Sequence, residues 1–151
     1  MPSGTHSVEL NVPIETIWKF VSDINKWAPL VPGYVKHQIR NPKQSIWELT
    51  GEVGNVQKKV NLQIDIIKWQ EPTKVTFDIK GLNEKFDGVG YFEAEALSKT
   101  NTKITGYINI TTRGMLGTIV NPVLTSLVQR KTLELTDAMA DKLVKVKSAT
   151  K

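Results

Sequence analysis

The sequence predicts an α+β fold: a curved antiparallel sheet of about six or seven strands wrapped on a long C-terminal helix, with two short helices after the first strand. Three observations carry this expectation. Apolar residues alternate with period two through most of the stretch from Gly33 to Arg113. The period turns helical after Gly114 and stays so to about Lys147. Between the first alternating run and the rest lie two short apolar stretches set off by Pro13 and Pro32.

The first strand runs over Thr5–Val12, with Val8, Leu10 and Val12 on one face. Pro13 opens a short helix, where its missing N–H costs nothing, and Glu15 lies near the positive helix end. Ile14, Ile17, Trp18 and Val21 recur at helical spacing, so one side packs inward. Residues 23–32 hold Ile24, Trp27, Leu30 and Val31 and read as a second short helix or turn.

The strand region follows in runs. Val35, His37 and Ile39 alternate, as do Trp47, Leu49 and Val53, then Val60, Leu62, Ile64 and Ile66, then Val75, Phe77 and Ile79. Phe86, Phe92, Ala94 and Ala96 come next, and Ile104, Ile108 and Ile110 close the series. Asn41-Pro42, Gly51 with Gly54, Glu71-Pro72, Gly81 and Lys99-Thr100-Asn101 supply the turns. One apolar face per strand implies a sheet covered on one side, most simply an antiparallel meander. Parity breaks at Ile66-Ile67 and resumes at Trp69, which predicts a β-bulge and a bend. In the last segment Asn121-Pro122 marks a helix start, and Leu124, Val128, Thr132, Leu135, Met139, Leu143 and Val146 form one stripe.

Length and composition narrow the function. The chain has 151 residues, 40% hydrophobic and 23% charged, which fits one globular domain over residues 1–151 and excludes a disordered tail. Its 20 Lys and Arg against 15 Asp and Glu give a net charge of +5. That is modest, and Lys58-Lys59 lacks the concentrated basic stripe of a nucleic-acid binder. With 0 Cys there is no disulfide, thiol catalysis or cysteine-ligated metal. The start at Met1 lacks a secretory pattern and no apolar run spans a bilayer, so the expectation is a cytoplasmic protein.

Chemistry-bearing residues are sparse. His6 falls in a frayed terminus and His37 on a strand, too far apart in sequence for a convincing metal site, so no metal or cofactor is expected. Gly88-Val89-Gly90 lacks the third glycine of a dinucleotide fingerprint. Glu48, Glu52, Asp65 and Asp78 fall on the polar parity of their strands and read as solvated carboxylates. The sheet is much wider than a helix about 10 Å across, so some inward apolar positions must face side chains, a neighbouring protomer or a cavity. Gly88, Gly90, Ala94, Ala96 and Gly106 fit either such space or close strand–helix approach, and Thr132 either a pocket wall or a back-bonded core position.

The order of elements resembles the helix-grip fold of the START-like superfamily, and within it the CoxG family of carbon monoxide dehydrogenase proteins. The resemblance runs from about Val8 to Val146. It includes Val12-Pro13-Ile14-Glu15-Thr16-Ile17-Trp18 followed by Asp23, and Leu30-Val31-Pro32-Gly33, where the family has a Leu-Pro-Gly turn. Gly51-Glu52-Val53-Gly54, Thr102-Lys103-Ile104 and Gly114-Met115-Leu116-Gly117 match later strands and the entry to the long helix.

The resemblance implies an elongated apolar cavity between sheet and helix and a non-enzymatic role. The expected ligand is a lipid, fatty acid or quinone-like molecule, and the expected partner a molybdenum-containing hydroxylase. Many CoxG proteins carry a membrane-associating extension; the sequence to Lys151 shows none, so contact with the inner membrane face is expected to be peripheral at most. Trp47, Leu62, Ile64, Phe77, Ile79, Phe92, Ile108 and Ile110 are the expected sheet wall, and Leu124, Val128, Thr132 and Leu135 the helix wall. The alternative is a cyclase or hydrolase using His37, Tyr91, Tyr107 or Asn109 in the same cavity; Tyr107 and Asn109 fall on the outward parity, which counts against it.

Overall fold

A computed structural model describes residues 3–53, 56–82, 86–112 and 117–149, of which 51–53, 56–58, 112, 117–127 and 146–149 are described by backbone alone. The chain begins with β1 (Ser3–Leu10), then α1 (Ile14–Val21) and α2 (Ile24–Trp27), followed by a 3-10 turn at Ala28–Leu30. Six strands follow: β2 (Tyr34–Asn41), β3 (Gln44–Val53), β4 (Val56–Gln70), β5 (Lys74–Gly81), β6 (Phe86–Ala96) and β7 (Thr102–Thr112). The long helix α3 covers Gly117–Ala149. It begins before the expected start at Asn121-Pro122, so Pro122 lies in its second turn, where a proline forgoes one backbone bond near the helix end.

The sheet is antiparallel throughout, in the order β1-β7-β6-β5-β4-β3-β2. Strands β2 to β7 form the expected meander, and β1 closes on the far side of β7 with Ser3 opposite Asn109 and Leu10 opposite Thr102. His6 is thus part of a strand rather than a frayed end, and its Nε2 lies 2.9 Å from Asp137 Oδ1 on α3. The bulge expected at Ile66-Ile67 is present: Ile66 pairs with Phe77 and Lys68 with Thr76, leaving Ile67 without a partner.

Both short helices start as their sequences direct. Pro13 precedes α1 in extended backbone, and Asp23 caps α2 by accepting a hydrogen bond from the Asn25 N–H at 3.1 Å. Gly33, at φ 81°, turns the chain into β2, where a Cβ would stand 2.0 Å from the Thr50 carbonyl oxygen.

The interior divides into two apolar clusters. The first joins Leu10, Val12, Ile17, Phe20 and Val21 to Ile66, Val75, Phe92 and Ile104 of the sheet and to Met139, Ala140 and Leu143 of α3. The second gathers Ile24, Ala28, Trp47, Leu62 and Ile79. Helix α3 runs chiefly along β1 and β7, at one side of the sheet. Glycine permits that approach. A Cβ on Gly4 would lie 2.8 Å from Gln129 Cα and 2.9 Å from the Val128 carbonyl, and one on Gly106 would lie 2.5 Å from Thr136 Oγ1.

Thr132 and Thr136 satisfy their buried hydroxyls within the helix, donating to the Val128 and Thr132 carbonyls at 2.7 Å each. Replacing Gly4 with valine is expected to push α3 off β1 and to lower stability by about 1–3 kcal/mol. Urea unfolding with an unchanged midpoint would show that this seat is not required.

Candidate functional site

The site is built around Trp47 on the concave face of β3. Strand β2 pairs Tyr34 with Leu49, Lys36 with Glu48 and His37 with Trp47, so Val35 is an extra residue without a partner and stands 45% exposed. This bulge returns Tyr34 and His37, three residues apart, to one face. His37 stacks on Trp47 with ring centroids 5.2 Å apart at 29°. Tyr34 meets the same indole edge-on at 6.1 Å, and Trp27 of α2 lies 5.8 Å from it. Trp47 is buried, and its indole N–H donates to Ser45 Oγ at 2.8 Å, while Trp27 donates to the Val21 carbonyl at 3.0 Å.

A short polar chain crosses this aromatic group. Tyr34 Oη lies 2.6 Å from His37 Nδ1, and His37 Nε2 lies 2.8 Å from Asn25 Oδ1. In the tautomer that carries its proton on Nε2, the ring donates to Asn25 Oδ1 and accepts a hydrogen bond from the Tyr34 hydroxyl at Nδ1. No carboxylate bonds to His37 in this chain of contacts.

The structure brings together much of the expected sheet wall. Trp47, Leu62 and Ile79 are buried in the second cluster, and Ile64, Phe77, Ile108 and Ile110 pack on it partly exposed. Phe92 instead belongs to the first cluster, under α1 and the C-terminal half of α3. On the helix, Leu135 packs against that first cluster, and Val128 and Thr132 are buried close to Gly4. The side chain of Leu124 lies outside the described residues.

The small residues of β6 and β7 mark close contact. The Phe77 ring lies over Gly90, Ile110 and Ile79 crowd Gly88, and Thr136 covers Gly106. Tyr34, Asn25 and Trp27 join the site although periodicity does not single them out, and Leu49, Val60 and Phe86, which alternation does mark as apolar strand positions, lie at its margin.

Other candidates lie elsewhere. Tyr91 and Tyr107 stack at 5.0 Å, Lys74 Nζ sits 4.3 Å from the Tyr91 ring centre, and Asn109 donates to Tyr107 Oη at 3.2 Å. Their register sets all three on the parity opposite to Gly90, Phe92, Ile108 and Ile110, on the convex face. An open cleft of about 290 Å³, lined by Ser22, Asp23, Ile24, Ile39, Pro42 and Trp69, lies beside the β2–β3 turn. Among the described residues no group of three or more His, Asp or Glu could hold a metal ion, and no helix is long and apolar enough to cross a membrane.

A family model matches residues 1–139. No curated protein matches the sequence. Among solved structures, a conserved protein from Geobacillus kaustophilus is similar at TM-score 0.80 and 14% identity, with 95% of each chain covered. A START superfamily protein from Mycobacterium smegmatis is similar at TM-score 0.75 and 14% identity, over 95% of this chain and 98% of that one. Zhui aromatase/cyclase from a Streptomyces species is similar at TM-score 0.75 and 15% identity, over 95% of this chain and 93% of that one.

Ser45 is 1% exposed and Trp47 4% exposed. Ser45→Ala leaves the indole N–H without its acceptor, and a loss of about 1–3 kcal/mol is expected in chemical denaturation. A variant as stable as the parent would mean that Trp47 is not held by this bond.

Proposed function

We propose that this chain, which shares its helix-grip fold with a START superfamily protein and an aromatase/cyclase, binds an elongated hydrophobic molecule between the sheet and its C-terminal helix, without transforming it. The observation that carries this reading is the half-covered apolar wall around Trp47. Leu49, Val60, Ile64, Phe77, Phe86, Ile108 and Ile110 all pack there with part of their surface open, and among the described residues none of α3 joins that cluster. Apolar surface of this kind, on a concave face, is where a ligand tail gains most by leaving water. Each buried methylene contributes about 0.8 kcal/mol, so a chain of roughly a dozen carbons can offset the cost of association with few polar contacts.

The finer reading draws on the resemblance to the CoxG family. In it the ligand is a lipid, fatty acid or quinone-like molecule, and the chain is an accessory or recruitment protein for a molybdenum-containing hydroxylase of the carbon monoxide dehydrogenase type. A second reading, a cyclase or hydrolase acting on an apolar substrate, is favoured by one observation: His37 and Tyr34 turn to the concave face and bond to each other. The convex position of Tyr91, Tyr107 and Asn109 removes the other polar groups that reading needs.

Native mass spectrometry of protein purified from cells is expected to show a retained lipophilic molecule, and Ile108→Glu to reduce its occupancy several-fold. A parent protein free of any such molecule and unable to take one up would sink the binding reading. Conversion of the retained molecule on incubation, lost in His37→Ala, would favour the enzyme instead. The accessory role is checked by co-purification with the hydroxylase after joint expression, where no complex is the adverse result.

A further inference from the structure

We propose that Tyr34, His37 and Asn25 are the polar anchor of the concave site, and that this anchor selects an uncharged ligand bearing a hydroxyl or carbonyl oxygen at one end of an apolar body. The inference rests on the binding reading above and narrows it. It starts from the composition of the wall. Around Trp47 the described inward residues are aliphatic or aromatic, apart from Tyr34, His37 and Ser45. The Ser45 hydroxyl is buried and already bonded to the indole.

The cations nearest in sequence do not supply the missing charge. Lys26, Lys36 and Arg40 are all exposed, and Lys36 pairs with Glu48 on the opposite parity from His37. A ligand carboxylate drawn onto this wall would lose water without gaining a cation among the described residues, which is costly. A neutral oxygen loses less and can be satisfied here.

The anchor has hydrogen-bonding capacity of the right kind. With the imidazole proton on Nε2, the Tyr34 hydroxyl donates a hydrogen bond to His37 Nδ1 at 2.6 Å, and its oxygen keeps acceptor capacity for a ligand hydroxyl. If the imidazole proton moves to Nδ1 and the Asn25 amide turns its nitrogen to Nε2, the same tyrosine donates instead, to a ligand carbonyl. The relay therefore serves a hydroxyl or a carbonyl with the same three side chains. Stacking on Trp47 holds the imidazole in place in both states.

Amide NMR titration with 4-butylphenol, 4-butylbenzoate and butylbenzene at pH 7.5 tests this, since the three share one body and differ only in the polar end. The phenol is expected to bind at least about tenfold more tightly than the benzoate. Tyr34→Phe is expected to weaken the phenol by about three- to tenfold while leaving butylbenzene unchanged, which also shows that the wall is intact. Equal binding of phenol and benzoate overturns the anchor and leaves the apolar site standing. So does a phenol affinity untouched by Tyr34→Phe. Failure of all three compounds to shift amides around Trp47 overturns the anchor and the binding reading together.

Discussion

The seat of α3 on β1 and β7 is the contact on which the rest of the architecture depends. Gly4 and Gly106 remove two side chains where helix and sheet meet, and the threonines facing them bury their hydroxyls against the helix's own carbonyls. The helix can therefore come close, but only along one side. Seven strands at their usual spacing extend roughly 29 Å, and a helix covers about a third of that. α1 and the C-terminal half of α3 close the interior at one end of the sheet. Toward the other end, the described residues that pack on the wall around Trp47 from outside the sheet are Ile24 and Trp27 of α2, Ala28 of the 3-10 turn, and Val31.

That division explains which parts of the molecule were legible from residues alone. Alternation located every strand, although β2, at the sheet edge, buries no residue and its Val35 and Ile39 are exposed; the parity break at Ile66-Ile67 showed even the bulge. The long helix was equally plain, although Pro122 gave a start several residues too late: a proline is tolerated in early turns as well as at the first position. The seven-stranded order, with β1 beside β7, follows from no local pattern. It is a pairing of residues about a hundred positions apart.

The site was less legible than the fold. Inward parity put Trp47, Leu62, Ile64, Phe77, Ile79, Ile108 and Ile110 on one wall, and they do share one cluster. Parity could not say that Phe92 belongs to the other cluster, since both clusters lie on the same face of one sheet. Nor could it find Tyr34. On simple alternation Tyr34 opposes His37; the extra residue at Val35 reverses that, and a one-residue bulge in a short edge strand leaves no periodic trace. Asn25 and Trp27 arrive from a helix of four residues, too short to carry a period.

The pairing of β1 with β7 also bears on how the polypeptide is made. Ser3 is made about a hundred residues before its partner Asn109, and Gly4 further still ahead of the helix it touches. Until residues 102–149 have been made, the opening segment has neither its neighbouring strand nor its helix, and the edge it will protect does not yet exist. Completion is thus a late, all-or-nothing event, of the kind that makes folding slow and leaves unfinished chains exposed to aggregation.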